Sequence, residues 1–204
     1  MKLRAYLYSA IFLLPVGPAF AAIQQTRLHT SSSEPFTVYV AGPEEASQAI
    51  VLVHDWFGVS PFYTEAVEKL AAQGYRVVAV DLYDGHRATT HEEAGALLTA
   101  LHDDLAARKV DAAIKWSAEG NRKVAAMGFS MGVKHVLSAA LRNPSVRATI
   151  LWYGETIKDS DALHHLSGPV LLIDGSQDGP AAADNSLAFS KAADAAGIGV
   201  EGMA

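Results

Sequence analysis

Short apolar runs that alternate with helical segments constrain the fold of this chain more than any other feature of its sequence. Residues 49–54 and 75–81 each contain at least four apolar positions in succession, which is typical of strands covered on both faces. Further strands are predicted over 36–40, 123–128, 148–153 and 170–174. This alternation indicates an α/β fold, in which helices cover both faces of a mostly parallel sheet.

Helix start signals lie between the predicted strands. Ser60 and Pro61 predict one helix start, because a serine cap precedes a proline whose missing N–H costs nothing at that position. Thr90 and Glu93 have the spacing of a capping box. The helical pattern after Thr90 is longer than globular helices usually are, so a break near Asp103 is predicted. Two later helices are predicted over 131–141 and 181–196.

Composition and charge exclude several classes of protein. Half of the 204 residues are hydrophobic and 19% are charged, which excludes a disordered, collagenous or coiled-coil chain. The formal net charge of −6, without a basic run, argues against a nucleic-acid partner. The chain has no cysteine, so a disulfide scaffold, a thiolate metal site and a cysteine nucleophile are excluded.

The N-terminal segment has the pattern of a secretory signal peptide. Two basic residues precede an apolar run over 5–16, and Ala19 and Ala21 supply the small residues that a signal peptidase requires. We therefore predict cleavage after Ala21 and a single domain over 22–204 that is periplasmic or secreted, with no membrane partner after cleavage. The alternative is an uncleaved anchor, although the apolar run is short for a hydrocarbon core of about 30 Å.

The motif that carries chemistry is Gly128-Phe129-Ser130-Met131-Gly132, which has the form Gly-x-Ser-x-Gly between a predicted strand and a predicted helix. This is the context of a nucleophile elbow, where a strained turn raises the serine hydroxyl above the sheet. Ser130 is the candidate nucleophile. The N–H of Met131 is a candidate oxyanion donor, because a helix N-terminus presents free N–H groups. The alternative is a strand–helix turn of small residues without chemistry.

Residues that follow other predicted strands complete the candidate site. The N–H of Trp56 is the candidate for the second oxyanion donor. Asp178 lies just past a predicted strand and downstream of the serine, which fits the chain order Ser, Asp, His of a hydrolase triad. Asp174 and Asp184 compete with Asp178 for the role of the acid.

Several further residues near strand ends are possible wall residues of a ligand site. His54 is either a base or a brace for its loop, and bracing is favoured. Asp55 either orients the serine or accepts hydrogen bonds from loop amides. Tyr83 and Trp152 are aromatic residues at strand ends, where open α/β sheets bind ligands, although core packing is the equal alternative for each.

Taken together, these residues show that the chain resembles the dienelactone hydrolase family of α/β-hydrolases, from about residue 49 to residue 197. The resemblance implies hydrolysis of ester or lactone bonds in a small molecule through a covalent acyl-enzyme, with no cofactor and no metal. We expect a monomer. The same residues would also serve acyl transfer. The segments that carry the resemblance are 53–59, 70–75, 80–85, 88–94, 127–132 and 169–175, together with Asp178.

The chain departs from the family pattern at several positions. Family members typically have a cysteine where Ser130 stands, so the chain is more similar to a serine esterase. Many members have glutamate where Asp55 stands. Arginines hold a carboxylate of the lactone substrate in the family, and Arg87 is the loose candidate for this role in the present chain.

The histidine of the predicted triad has no evident position. All eight histidines precede Asp178, although the fold order places the base last. His54 is the substitute to test, whereas His135 is predicted to point down its helix and away from the serine. If the chain stopped at residue 204, the apolar strand predicted over 170–174 would also lie near or at an unprotected sheet edge, which natural proteins avoid. We therefore expect a C-terminally truncated hydrolase whose last strand, helix and histidine are missing. The alternative is a catalytically impaired or non-catalytic small-molecule-binding protein.

Overall fold

In the computed structural model, which describes residues 22–203, an eight-stranded sheet forms the centre of the molecule. Its spatial order is β1-β2-β4-β3-β5-β6-β7-β8. β2 is antiparallel to both β1 and β4. The other six strands, β3 to β8, are parallel to one another. The strands are β1 (Gln24–His29), β2 (Pro35–Ala41), β3 (Gln48–Val53), β4 (Arg76–Val80), β5 (Lys123–Phe129), β6 (Val146–Trp152), β7 (Val170–Ile173) and β8 (Val200–Met203).

Helices cover both faces of the sheet, which confirms the predicted fold class. One face packs against α1, and the other packs against α3, α4 and α6. No helix within residues 22–203 is long and apolar enough to cross a membrane. The α-helices are α1 (Pro61–Ala71), α2 (His91–Ala100), α3 (Asp103–Ser117), α4 (Met131–Arg142), α5 (Ser160–Leu163) and α6 (Pro180–Ala195), and a 3-10 turn spans Glu119–Asn121.

The central strand β3 explains why the strands are continuously apolar. Ile50 and Leu52 pack on the α1 face, whereas Val51 and Val53 pack on the opposite face. Successive side chains of a strand point to opposite faces, so both sets are buried only because helices cover both sides. The predicted signal peptide over 1–21 lies outside the described residues.

The predicted helix signals take the expected places. The N–H of Glu93 donates to Thr90 Oγ1 at 3.2 Å, and the N–H of Thr90 donates to Glu93 Oε2 at 3.2 Å, which completes the capping box. The predicted break is present, because α2 ends at Ala100 and α3 begins at Asp103. Ser60 is the N-cap residue of α1, but its side chain makes no capping hydrogen bond.

Three elements were not predicted from the sequence: β1, α5 and β8. The last of them corrects the expectation that the final strand is missing, because residues 200–203 already pair with β7 in parallel. The chain can return to the sheet because Gly197 has φ +71°, and the N–H of Ile198 donates to the carbonyl of Ala193 at 2.8 Å. Such a left-handed glycine commonly ends a helix. β7 is therefore one strand away from the sheet edge.

Candidate functional site

Ser130 occupies a strained turn between β5 and α4. Its φ of 49° and ψ of −112° lie in a region that non-glycine residues rarely adopt. The turn is held by its own amide, since the N–H of Ser130 donates to the carbonyl of Trp152 at 2.9 Å on the neighbouring strand β6. The sequence motif thus folds with the backbone geometry of a nucleophile elbow.

Close backbone contacts explain the two glycines of the motif. A Cβ on Gly128 would lie 2.5 Å from the carbonyl oxygen of Gly132, so the strand and the first turn of α4 leave no room for it. A Cβ on Gly132 would lie 2.4 Å from the carbonyl oxygen of Val53 in β3. Both distances are far below any real contact of a Cβ atom. Only glycine therefore fits at each of these two positions.

A cavity of about 710 Å³ opens beside Ser130. It contains four of the predicted site residues, since Ser130, Met131, Trp56 and Asp178 all belong to its wall. The structure therefore brings together residues that are far apart in the sequence. The other wall residues are Leu98, Leu101, Asp103, Lys134, His135, Tyr153, Gly154, Glu155, Lys158, Asp174, Ala181, Ala182 and Asn185.

Two aspartates after β7 contribute carboxylates to the wall of the cavity. Asp178 is exposed, and its Oδ2 accepts a hydrogen bond of 2.8 Å from the N–H of Gly175, so its side chain also closes the turn. Asp174 is half-buried and accepts a hydrogen bond from the hydroxyl of Ser186. Asp184, the third candidate for the acid, is exposed on α6 and does not contribute to the wall.

The two predicted oxyanion donors both lie at this cavity. Met131 is the first residue of α4, a position whose N–H has no partner within the helix. Among residues 22–203, neither Met131 nor Trp56 donates its N–H to another group. The next amide along, that of Phe57, donates to Asp55 Oδ1 at 2.8 Å. Two backbone donors are thus available beside Ser130.

His54 is fully buried, and both of its ring nitrogens are engaged. The N–H of Leu82 donates to Nε2 at 3.1 Å, so this nitrogen carries no proton. Nδ1 therefore carries the proton and donates to the carbonyl of Asp55 at 2.6 Å. Burial lowers the pKa of His54, which keeps the ring neutral. The favoured bracing role is confirmed, and His54 has no free nitrogen to serve as a substitute base.

Asp55 lies among hydroxyl groups and loop amides. Its N–H donates to the Tyr63 hydroxyl at 3.0 Å, and its Oδ1 accepts a hydrogen bond from the N–H of Phe57. Of the two predicted roles of Asp55, the structure therefore shows the acceptance of a hydrogen bond from a loop amide. Burial, together with the negative charge of Asp55, raises the pKa of Tyr63 and raises the pKa of Tyr83 to about 12. Both hydroxyls are therefore neutral hydrogen-bonding groups at neutral pH.

Three of the possible wall residues lie away from the cavity. Tyr83 is buried beneath Met131, where its hydroxyl contacts Sδ at 3.3 Å. Trp152 stacks on Phe129 with ring centroids 5.4 Å apart, on the α1 face of the sheet. Arg87 is exposed on the loop after β4. His54 and Asp55 also do not contribute to the wall, since they support the neighbouring loops.

Tyr153 and His135 are further residues of the cavity wall. Tyr153 follows β6 directly with φ +38°, and its ring packs against that of Phe129 with centroids 6.3 Å apart. His135 was predicted to point away from the serine, but it stands one turn after Met131 on the same side of α4. Side chains in a helix lean toward its N-terminus, which directs the His135 ring to the cavity.

Charged groups surround His135 on two elements. Lys134 forms an ion pair with Asp103 at the start of α3, with Nζ and Oδ2 separated by 2.6 Å. His135 is 5% exposed, and burial lowers its pKa to about 4, with Asp103 opposing and Lys134 contributing further. His135 is thus a neutral imidazole on the cavity wall.

Sequence similarity extends over most of the chain. A model of the dienelactone hydrolase family matches residues 36–201. The carboxymethylenebutenolidase of Rhodococcus opacus is 28% identical over 142 residues, which cover 68% of this chain and 56% of that protein. The chain therefore spans little more than half the length of this curated relative.

Solved structures of similar fold agree with the architecture. A dienelactone hydrolase from Anabaena variabilis has a TM-score of 0.66 and 23% identity, covering 89% of this chain and 84% of that chain. A dienelactone hydrolase-like promiscuous phosphotriesterase from metagenomic libraries has a TM-score of 0.72 and 16% identity, covering 89% of this chain and 81% of that chain. At these identities, the similarity shows a shared fold of the α/β-hydrolase type.

Proposed function

Because the chain belongs to the dienelactone hydrolase family, we propose that it hydrolyses carboxylic ester or lactone bonds through an acyl intermediate on Ser130. The observation that carries this proposal is the strained backbone of Ser130, which stands at the N-terminus of α4 and at the cavity wall. A serine held in this way is typical of the nucleophile of an α/β-hydrolase. The apolar part of the wall fits an acyl chain.

The proposed reaction has two steps. Ser130 Oγ attacks the carbonyl carbon, its proton passes to a general base, and the resulting oxyanion accepts hydrogen bonds from the N–H groups of Met131 and Trp56. Collapse of this intermediate breaks the bond to the alcohol oxygen, which takes up the proton. Water then hydrolyses the acyl-serine by the same route. One such oxyanion donor generally contributes about 10²–10³-fold in rate.

In the proposed triad, Asp178 orients the base and stabilises its charged form. Its place after β7, on the same cavity as Ser130, supports this role. Asp174 stands beside it as the competing acid. The resemblance to the family assigns the base to a histidine that follows the acid in the chain.

A second candidate function is supported by a specific observation. Among residues 22–203, no histidine forms a hydrogen bond with Ser130 or Asp178, and the nitrogens of His54 are already engaged. A chain without a base would retain the cavity and bind small molecules with impaired catalysis. Loss of a single triad member leaves about 10³–10⁴-fold catalysis over water, so residual hydrolysis is measurable even in this case.

Labelling and hydrolysis distinguish the two candidates. The 204-residue protein is incubated with a fluorophosphonate and, separately, with p-nitrophenyl acetate. We expect labelling of one serine by intact mass, and loss of both labelling and hydrolysis in Ser130→Ala. Ser176→Ala, which removes an exposed serine of the turn after β7, is the matched control and should retain both. A protein that binds esters, is not labelled, and hydrolyses p-nitrophenyl acetate no faster than Ser130→Ala would support the binding function.

Export to the periplasm or outside the cell is also part of the proposal. It is supported by the basic start, the apolar run and the small residues before position 22. Expression of the full chain in a secreting host, followed by N-terminal sequencing, tests it. The expected mature protein begins at Ala22, whereas an intact N-terminus in the membrane fraction would contradict cleavage.

A further inference from the structure

His135 is the one histidine on the cavity wall within residues 22–203, and the proposed mechanism does not use it. As a residue it is 5% exposed, and its ring forms no hydrogen bond with any residue of the described part of the chain. Its ring nitrogens are not among the fully buried polar atoms that lack a partner, so they are open to the cavity. An imidazole that is buried in protein and open only to a cavity therefore points to a ligand group.

The chemistry of the ring defines what this group is. Burial holds the pKa of His135 at about 4, so the ring is neutral at physiological pH and offers one N–H donor and one acceptor nitrogen. The neighbouring cation, Lys134, is already paired with Asp103. A neutral donor–acceptor site of this kind matches an uncharged hydroxyl, which also donates and accepts one hydrogen bond.

The rest of the wall disfavours an anionic ligand. Within residues 22–203, no arginine contributes to the cavity, and Arg87 is exposed on a loop away from it. Carboxylates outnumber ammonium groups on the wall, and like charges repel a ligand carboxylate. The charged wall residues are Asp103, Glu155, Asp174 and Asp178 against Lys134 and Lys158.

The spacing along α4 sets the length of the ligand. His135 follows Ser130 by five positions, which corresponds to about 7.5 Å along a helix. An extended acyl chain whose carbonyl is attacked by Ser130 spans this rise, and comes level with the backbone of His135, with an oxygen at about its sixth carbon. A two-carbon acetyl group is too short to reach it.

We propose that His135 selects substrates whose acyl group carries an uncharged hydroxyl at about the sixth carbon, in preference to a carboxylate or to a plain alkyl end. This inference rests on the proposed ester or lactone hydrolysis at Ser130. It makes His135 a specificity-determining residue, because its ring contacts the substrate and takes no part in the bond changes.

Three matched methyl esters test the proposal: methyl 6-hydroxyhexanoate, methyl hexanoate and monomethyl adipate. Their binding to Ser130→Ala is measured by calorimetry, and their hydrolysis is measured on the unmodified chain. We expect the hydroxyl ester to bind about fivefold to tenfold more tightly than the alkyl ester, as one added hydrogen bond generally gives. The adipate ester should bind most weakly.

Variants of His135 show whether this residue is the cause. His135→Phe keeps a planar ring without nitrogens and should abolish the preference for the hydroxyl ester. His135→Gln, which restores a donor and an acceptor, should recover part of it. His164→Phe changes an exposed histidine away from the cavity and is the control that should leave the preference unchanged.

Several results would overturn the proposal. These are equal binding of the hydroxyl and alkyl esters, tightest binding of the adipate ester through Lys158, an unchanged preference in His135→Phe, or no binding of any of the three esters. The ligand comparison on the unmodified side chain stands even if a variant does not fold. p-Nitrophenyl acetate, which cannot reach His135, reports separately on the proposed hydrolysis, so failure of the two proposals is distinguishable.

Discussion

The buried imidazole of His135 makes the free energy of unfolding depend on pH between the ordinary histidine pKa of 6.5 and about 4. In the folded chain its pKa is about 4, whereas its ordinary value is 6.5. Between these values the unfolded chain binds a proton that the folded chain excludes. The free energy of unfolding must therefore fall as the pH decreases from 6.5 toward 4, and it is highest above 6.5.

The magnitude follows from this difference in pKa. One pKa unit corresponds to about 1.4 kcal/mol, so the full contribution reaches about 3 kcal/mol below pH 4. Between pH 7 and pH 5 the loss is about 2 kcal/mol by the same relation. The charged or titratable groups that act on the ring are Asp103, Lys134, His54 and Arg142.

The perturbation is His135→Gln, which removes the titrating group and keeps a polar side chain. Urea unfolding is followed by tryptophan fluorescence at pH 7, 6 and 5. The unmodified protein should lose about 2 kcal/mol more than the variant over this range. The comparison uses the change with pH, so a constant cost of the substitution at each pH does not affect it.

Two other observations define the controls. Burial also lowers the pKa of His54, so the variant should keep part of the pH dependence in the same direction. His164→Gln replaces an exposed histidine and should behave like the unmodified protein. Identical losses of stability in His135→Gln and the unmodified protein would refute the assignment of a neutral, desolvated ring at this position.

Three further substitutions, and Gly95→Ala as the control for the first of them, test the packing of the fold by urea unfolding. Gly132→Ala should destabilise the fold by about 1–3 kcal/mol, because its Cβ would overlap backbone, whereas Gly95→Ala in the open middle of α2 should stabilise it by up to about 1 kcal/mol. Lys109→Met should cost about 1–3 kcal/mol, because the buried ammonium donates to the carbonyl of Leu82 at 3.2 Å and that carbonyl would lose its partner. Thr90→Ala should cost about 1 kcal/mol by removing the capping box of α2. A loss in Gly95→Ala equal to that in Gly132→Ala, or no loss in either of the other two variants, would contradict these contacts.

Much of the fold follows from local patterns in the sequence. The apolar runs identified the strands of the parallel sheet, since a strand covered on both faces has no alternating polar positions. β1 was not predicted because it is a largely exposed strand at the sheet edge, paired with β2, and therefore has no continuous apolar run. β8 was not predicted because it is short and has glycines at 199 and 202, so its structure depends on pairing with β7.

The elbow was also determined locally. Residues 128–132 specify a turn whose glycines and serine have fixed neighbours along the chain, so the motif alone predicted the strained backbone at Ser130. The capping box at Thr90 is local in the same sense. In both cases the interacting atoms are separated by only a few residues, and the sequence pattern therefore contains the whole arrangement.

Only the tertiary structure decided what the histidines do. The role of His54 depends on an amide 28 positions away, that of Leu82, which fixes the proton on Nδ1. His135 faces the cavity because α2 and α3 meet beside α4, and Tyr153 contributes to the wall because the chain turns with φ +38° directly after β6. Sequence periodicity shows which residues share a face of one element. The environment of that face is set by elements that fold against it from elsewhere in the chain.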